Sequence, residues 1–427
     1  MRKIFVAETV PSQNKGEAAL MHGIVRSIQH YADEDVFFYL CSERPALDQI
    51  EYGDSVHVID NQGLVPLGDE AGRKLRFFIV SATKHLLFLL FHTLLGRFSL
   101  ALFRGDLWKA YHEADAIIVG HDNAFSKFHI PLILFSKLMR KKIAVYGTTI
   151  MPVVLNSNLV RKLGRYALNK VDLITTREGL TFKHLNDIGV NKPPLHCTAD
   201  KAFILEPIPE DEASALFSKL KLDNLPKPII GVMVVKGSTV FKAAFKDKNY
   251  SPEEKYDRHV TEIANTLDEI HDRIGGTFVF VPHCIGPGDE LDDRVCAVAV
   301  KAKMTKKEHA VLLNDELRVT ELKGLMGNFD MVVSERTHGG INAAAMKIPT
   351  LWITHPKDHR TYGIVTDTLE LPQCLYNIED LDSTTLSAKI MEIWGSREQV
   401  LATLTDNIPK AQDKTMSNGR LFKQHVL

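Results

Sequence analysis

The chain has 427 residues, which is too long for one ordinary domain and predicts two. It is 45% hydrophobic, 25% charged and 8% aromatic, values typical of globular proteins, which excludes a disordered, collagenous or low-complexity chain. With 52 Lys and Arg against 53 Asp and Glu, the net charge of −1 lacks the basic excess of a nucleic-acid-binding surface, although a local anion pocket needs only two or three cations.

The five cysteines are odd in number and form no C-x-x-C pair, which predicts neither a disulfide framework nor a structural zinc site. Scattered thiols are typical of a reducing compartment, and we therefore expect a cytoplasmic protein. The first residues, MRKIFVAE, contain only a short apolar run and predict a strand of the fold rather than a signal peptide.

Residues 77–103 are the most apolar part of the chain. Lys84, His85, His92 and Arg97 interrupt this stretch, so it is broken more often than a typical membrane-spanning helix. Besides a membrane-spanning helix, two interpretations stay open: a buried core helix, or an interfacial helix that rests on the inner face of a membrane. The interfacial interpretation is supported by basic residues that suit anionic headgroups, namely Arg73, Lys74, Arg76, Lys84, Arg97 and Arg104.

Short apolar runs alternate with helical patterns of 10–15 residues through most of the chain, which predicts parallel sheets covered by helices. A segment rich in proline and charge interrupts the alternation. We therefore expect an N-terminal domain over 1–205, a linker over 206–228 and a C-terminal domain over 229–427. The predicted fold is α/β, with two Rossmann-like domains facing across a cleft and ligands bound beyond the carboxyl ends of the strands.

The segment 329–349 carries the strongest local signal. An apolar strand runs into SERTH, which places Arg336 and His338 at a strand end, and Gly339 and Gly340 open a helix of small residues. A guanidinium, an imidazole and a helix N-terminus together favour a phosphate or carboxylate ligand. The structural alternative is an ion-paired turn with a surface histidine.

Two other strand ends repeat this design. Arg177 follows the strand of DLITTRE, where it either reaches a ligand or serves as a salt-bridge partner. The first turn, SQNKGEAAL, lacks the G-x-G-x-x-G and Walker patterns, yet Asn14, Gly16 and Glu17 are placed to contact a ligand from a helix N-terminus.

Weaker candidates are His283 and His121 at strand ends and Asp200 near the domain junction. A single histidine in such a position is more often structural than functional. The acidic run at 289–293 is interpreted as a solvated face or a helix N-cap. No H-E-x-x-H motif or other ligand cluster occurs, so the sequence requires no metal.

These motifs, taken in order, resemble the polysaccharide pyruvyl transferase family over roughly residues 1–375. The resemblance rests on NKGEAAL at 14–20, TRE at 176–178, the Asp200 segment, VPH at 281–283, SERTH at 334–338 and Lys357. One departure is the polar GHDN at 120–123, where the family often has a glycine-rich loop.

The resemblance implies an architecture like that of B-type glycosyltransferases, with the acceptor on the first domain and the donor on the second. It implies transfer of a pyruvyl group from phosphoenolpyruvate to an oligosaccharide or lipid-linked sugar, giving a ketal, with no cofactor beyond this donor. Arg177, Arg336 and His338 would hold the donor. The remaining residues expected to bind substrate are Thr337, Asn14, Gly16, Glu17, His121, Asp200 and Lys357.

Ketal formation moves protons, so His338 is the first candidate acid or base and His283 the second. Two alternatives stay open. In a glycosyltransferase with a nucleotide-sugar donor, Arg177 and Arg336 would hold a diphosphate. A non-catalytic binding protein would keep the cleft without turnover.

Overall fold

The computed structural model describes residues 1–61, 71–120, 125, 129–155 and 157–427, without the side chains of 71–78, 153 and 239. The chain divides into two compact units. The first comprises Met1–Ser12, Leu20–Lys201 and Lys414–Leu427, and the second comprises Gln13–Ala19 and Ala202–Asp413. Each unit has its own parallel β-sheet with helices, which confirms the predicted pair of α/β domains.

The first unit is built on a sheet of seven described strands. They are β1 (Arg2–Thr9), β2 (Val36–Ser42), β3 (Val56–Asp60), β4 (Ala116–Val119), β5 (Lys142–Thr148), β6 (Leu173–Thr176) and β7 (Leu195–Cys197). They lie in the order β3-β2-β1-β4-β5-β6-β7, and all neighbours pair in parallel. Strand β4 is buried on both faces, which explains why it is continuously apolar rather than alternating.

The second unit is built on a sheet of six described strands. They are β8 (Ile229–Met233), β9 (Thr277–Phe280), β10 (Ala310–Leu312), β11 (Met331–Ser334), β12 (Thr350–Thr354) and β13 (Leu375–Asn377). Their order is β10-β9-β8-β11-β12-β13, again entirely parallel. From β8 the chain adds β9 and β10 on one side, and it then adds β11, β12 and β13 on the other side. The place between β8 and β11 where this order reverses is the switch point, and sheets of this kind bind ligands there.

Sixteen α-helices accompany these strands in the described residues. They are α1 (Lys15–Tyr31), α2 (Pro45–Tyr52), α3 (Ala71–Leu95), α4 (Asp106–Glu113), α5 (His129–Leu138), α6 (Asn158–Leu168), α7 (Gly179–Asp187), α8 (Glu210–Lys219), α9 (Thr239–Ala243), α10 (Pro252–Ile274), α11 (Asp293–Lys303), α12 (Val319–Met326), α13 (Thr337–Ala345), α14 (His359–Gly363), α15 (Ser383–Gly395) and α16 (Arg397–His425). Their starts follow local chemistry: α10, for example, begins with a capping box between Ser251 and Glu254.

The structure differs from the predicted domain bounds in two respects. The segment 206–228 is not an unstructured linker, because it contains α8, which buries Ala213 and Phe217 at helical spacing in the second unit. Pro209 caps this helix and Pro207 precedes it, whereas Pro226 and Pro228 lie in the segment that leads into β8. In addition, Gln13–Ala19 groups with the second unit and Lys414–Leu427 with the first, exchanges that no local pattern encodes.

Helix α3 and the turn after it carry the apolar stretch 77–103. Phe88 is fully buried, whereas Leu86, Leu87 and Leu90 are exposed, so the core interpretation is wrong for the outward side of the helix. Within the described residues, Ile79–Ala101 is also the single segment that is long and apolar enough to cross a membrane.

Candidate functional site

The strongest predicted motif lies at the switch point of the second sheet. Strand β11 ends at Ser334, and α13 begins at Thr337, so His338 lies in the first turn of that helix. His283 follows β9, two strands away across β8. The predicted succession of strand end, Arg336, His338 and helix N-terminus is therefore what the structure contains.

Residues 13–19 lie against this switch point. The backbone N–H of Lys15 donates to the carbonyl oxygen of His283 at 2.9 Å, and Asn14 forms an isolated bridge with Cys284. A Cβ atom on Gly16 would come within 2.5 Å of the Nδ1 atom of His338. The loop predicted to contact a ligand is thus brought beside both candidate histidines.

Asn14 and Glu17 also organise this loop internally. The side-chain oxygen of Asn14 accepts from the backbone N–H of Gly16 at 3.1 Å, and its amide donates to Glu17 at 3.0 Å. These contacts fix the turn into α1.

The surroundings of His283 affect its protonation. His283 is buried, and its pKa is held well below the usual range by burial first and then by His338, Arg336 and Lys15. Its Nε2 atom lies 3.4 Å from the Nδ2 atom of Asn342. The His283 imidazole is therefore neutral near pH 7.

Arg336 is held by an acidic partner. Its Nη2 donates to the Oδ1 of Asp293 at 2.5 Å, and its side chain is only 16% exposed. Burial opposes the positive charge, but Asp293, Cys284 and Glu335 together outweigh it and raise the pKa of Arg336, so the guanidinium stays charged. The site thus combines a fixed cation with a neutral imidazole.

Thr337 and Lys357 have less direct positions. The Thr337 hydroxyl lies 2.6 Å from that of Thr361, which in turn donates to Asp358 at 2.6 Å. Lys357 is exposed in the turn after β12. Thr337 therefore takes part in a buried network, and Lys357 lies at the surface.

Arg177 and Asp200 form a fully buried ion pair in the first unit. Arg177 donates to Asp200 at 2.7 Å and to the Thr149 hydroxyl at 2.9 Å, and both charged side chains are 0% exposed. This geometry favours the salt-bridge alternative for Arg177 and makes Asp200 its counter-charge. His121, predicted at the end of β4, lies outside the described residues.

Sequence reasoning missed Lys15 and Asp293. Lys15 lies within the predicted NKGE motif, yet the residue is only 3% exposed. Its positive charge helps to lower the pKa of His283. The acidic run was interpreted as a solvated face or N-cap, which holds for Asp292, the cap of α11, but is wrong for the buried Asp293. The helical pattern that begins at DRVCAV was the signal that Asp293 faces inward.

A small pocket lies beside this arrangement in the second unit. It is lined by Val234, Pro282 and Asn314, which follow β8, β9 and β10, and by Asp293 and Arg294 at the start of α11. Among the described residues, no group of three His, Cys, Asp or Glu side chains is placed to hold a metal ion.

Comparison with known structures shows the fold. A UDP-N-acetylglucosamine 2-epimerase described as putative, from Listeria monocytogenes, is 11% identical, with a TM-score of 0.57 over 95% of this chain and 90% of its own. A ugt transferase from Siraitia grosvenorii is 12% identical, with a TM-score of 0.57 over 100% of this chain and 99% of its own. The two-domain architecture is thus that of B-type glycosyltransferases and these epimerases.

Comparison with known sequences shows the family. The amylovoran biosynthesis protein AmsJ of Erwinia amylovora is 20% identical over 294 residues, which cover 67% of each chain. Residues 14–357 match the family described as polysaccharide pyruvyl transferase. This match begins in the loop that contacts His283 and ends just beyond β12, and so includes the whole arrangement at the second switch point. The chain therefore belongs to the polysaccharide pyruvyl transferase family and is a transferase.

Proposed function

We propose that the protein transfers a pyruvyl group from phosphoenolpyruvate to a sugar of a polysaccharide or lipid-linked glycan precursor, forming a ketal and releasing phosphate. The observation that supports it is the meeting of Arg336, His338, His283 and Lys15 at the switch point of the second sheet. Three of these groups come from separate strand ends, so their meeting is a property of the fold.

The charges of this cluster suit the donor. Phosphoenolpyruvate carries a phosphate and a carboxylate, while Arg336 and Lys15 are cations and the N-terminus of α13 favours an anion. Asp293 neutralises part of this charge but also fixes the orientation of the guanidinium. In this proposal the second unit binds the donor.

The reaction requires several proton transfers. A proton is added to the methylene carbon of phosphoenolpyruvate, so that positive charge develops at C2. One sugar hydroxyl attacks C2 and loses its proton, the C2–O bond to phosphate breaks, and a second hydroxyl attacks with loss of its proton to close the ketal. We assign the first proton transfer to His338, and to the neutral His283 the acceptance of a proton. Arg336 stabilises the departing phosphate.

Donor identity is tested by thermal unfolding and by turnover. Phosphoenolpyruvate should raise the melting temperature, and inorganic phosphate should be released when a suitable glycan acceptor is present. Arg336→Ala should weaken phosphoenolpyruvate binding, and Arg336→Lys should restore it only in part because an ammonium lacks the planar fork. The exposed Arg318→Ala, in the same unit, is the matched control.

Two outcomes would contradict the proposal. Protection by a UDP-sugar but not by phosphoenolpyruvate would favour a nucleotide-sugar glycosyltransferase. Donor binding without turnover on any acceptor, unchanged in His338→Ala, would favour a non-catalytic binding protein.

We also propose a cytoplasmic location. Four of the five cysteines are buried as thiols, as is typical of proteins in a reducing compartment. Cell fractionation tests this, and recovery in an oxidising compartment would overturn it.

A further inference from the structure

One side of α3 and of the following turn, Gly96–Ala101, presents an apolar surface to solvent. Ile79, Leu86, Leu90 and Leu94 recur at intervals of seven and four residues and so lie along one side of the helix. Leu94 is 70% exposed, and the surface continues through the exposed Phe98 and Leu102. We call the residues 79, 86, 90, 94, 98 and 102 the outward stripe.

The opposite side of α3 is firmly packed. Phe88 is fully buried and stacks against Trp108 with ring centroids 4.7 Å apart. His85 meets the edge of Phe135 at 4.9 Å, and His92 is hydrogen-bonded to His112 at 2.9 Å. The helix is therefore attached sideways to the first unit, and the outward stripe is exposed to solvent among the described residues.

The charged residues of the segment that carries the stripe are all basic, apart from histidine. Residues 71–105 contain six Lys and Arg and no Asp or Glu. Lys84, Arg97 and Arg104 are exposed, and the guanidinium of Arg97 lies 5.4 Å from the centre of the Phe98 ring. An apolar helix face with cations beside it matches a bilayer that carries anionic headgroups.

Sideways packing also decides how the helix meets the bilayer. Ile79–Ala101 is long enough to cross. However, α4 packs on α3 through Trp108 and carries the exposed Asp106 and Lys109, which would have to enter hydrocarbon if α3 crossed. Charged side chains are costly there. The helix is therefore arranged to lie in the plane of the membrane surface.

We infer that the outward stripe docks the protein on an anionic lipid surface, with α3 parallel to the membrane and without crossing it. The inference rests on the first unit alone and is independent of the donor and acceptor proposed above. It goes beyond that function because it adds a binding surface for lipid that is separate from the switch point of the second sheet.

The test uses the full-length protein and sedimentation with vesicles. Vesicles of phosphatidylcholine mixed with phosphatidylglycerol should bind the protein at low salt, and pure phosphatidylcholine should bind it much less. Leu90→Ser with Leu94→Ser should weaken binding by about tenfold or more, because both side chains would insert. These residues are already exposed, so the melting temperature should not fall.

The matched control is Leu159→Ser with Leu163→Ser on α6 of the same unit, which removes two exposed leucines at the same spacing away from the stripe. Binding by this variant should equal that of the wild type. Arg97→Glu with Arg104→Glu should reduce binding only to anionic vesicles.

Several results would overturn the inference. The inference would be wrong if the wild-type protein did not bind anionic vesicles at low salt, or if the two leucine-pair variants lost vesicle binding equally. Resistance to alkaline carbonate extraction would show that the helix crosses. A dimer that the Leu90 and Leu94 changes convert to monomer, with no vesicle binding, would assign the stripe to a second copy of the chain.

Discussion

The carboxylate of Asp293 joins Arg336 to the loop that carries His283. The Oδ2 atom of Asp293 accepts from the Nε of Arg336 at 3.1 Å and from the backbone N–H groups of His283 and Cys284 at 3.0 and 2.9 Å. One buried side chain at the start of α11 thus orients the loops after β9 and β11 together. Both candidate donor-binding and proton-transfer groups depend on it.

Asp293→Ala should destabilise the protein by about 3–5 kcal/mol, because it leaves the largely buried Arg336 without a counter-charge. Asp293→Asn should cost less, since an amide oxygen still accepts from the two backbone N–H groups. Urea unfolding measures both. Asp292→Ala is the control, because it removes a cap and should cost about 1 kcal/mol. Equal losses at the two positions would show that the Arg336 pair contributes little.

Arg177→Ala should affect stability more than donor affinity. It leaves Asp200 charged and buried, which commonly costs about 3–5 kcal/mol. Isothermal titration with phosphoenolpyruvate at a temperature where the variant is folded separates the two effects. Replacing both residues, as Arg177→Met with Asp200→Leu, should recover part of the loss. Weakened donor binding in a stably folded Arg177 variant would instead favour the substrate role expected from the family resemblance.

His338→Gln should lower the single-turnover rate by about 100-fold or more, because glutamine preserves some hydrogen bonding but cannot titrate. Donor affinity should change less than the rate. Rapid-quench measurement of phosphate release gives the rate directly. A rate near that of the wild type would remove His338 as the acid or base and favour His283.

His283 should make stability depend on pH in the acid range. Its pKa is lowered in the folded state, so below about pH 6.5 the unfolded chain takes up a proton that the folded chain does not, and stability falls as pH falls. Above that pH both states are neutral and this contribution disappears. His283→Gln should therefore flatten the acid side of the melting-temperature profile. The exposed His57→Gln controls for loss of a histidine, and an unchanged profile in His283→Gln would contradict the assignment.

Gly16→Ala should reduce turnover by displacing His338. The added Cβ would lie 2.5 Å from its Nδ1 atom and 3.0 Å from its Cβ atom, so the imidazole or the loop must move. Steady-state kinetics and a melting curve test this together. Gly395→Ala, at the end of α15, has no atom within 4 Å of the new Cβ and should leave turnover unchanged. Equal activity in both variants would show that the position of His338 is not critical.

In the apolar stretch, the spacing of apolar residues does not predict which of them are buried. Residues 77–103 are apolar on every side of a helix, so spacing could not decide between core and membrane surface. Packing decided which of these side chains are buried, because α3 buries Phe88 while Leu90 and Leu94 face outward. Exposure of a side chain depends on neighbours distant in sequence.

The sequence by itself determined the local features: the buried strands, the helices that follow them, and the placement of Arg336 and His338 where β11 meets α13. These depend on apolar runs and polar strand ends within short segments. Tertiary structure alone decided that Arg177 is enclosed with Asp200, that Asp293 accepts from the backbone N–H of His283, and that Lys15 helps to lower the pKa of His283. The physical reason is that burial and ion pairing are set by chain segments separated by tens to hundreds of residues, and a single sequence does not specify which of these segments meet.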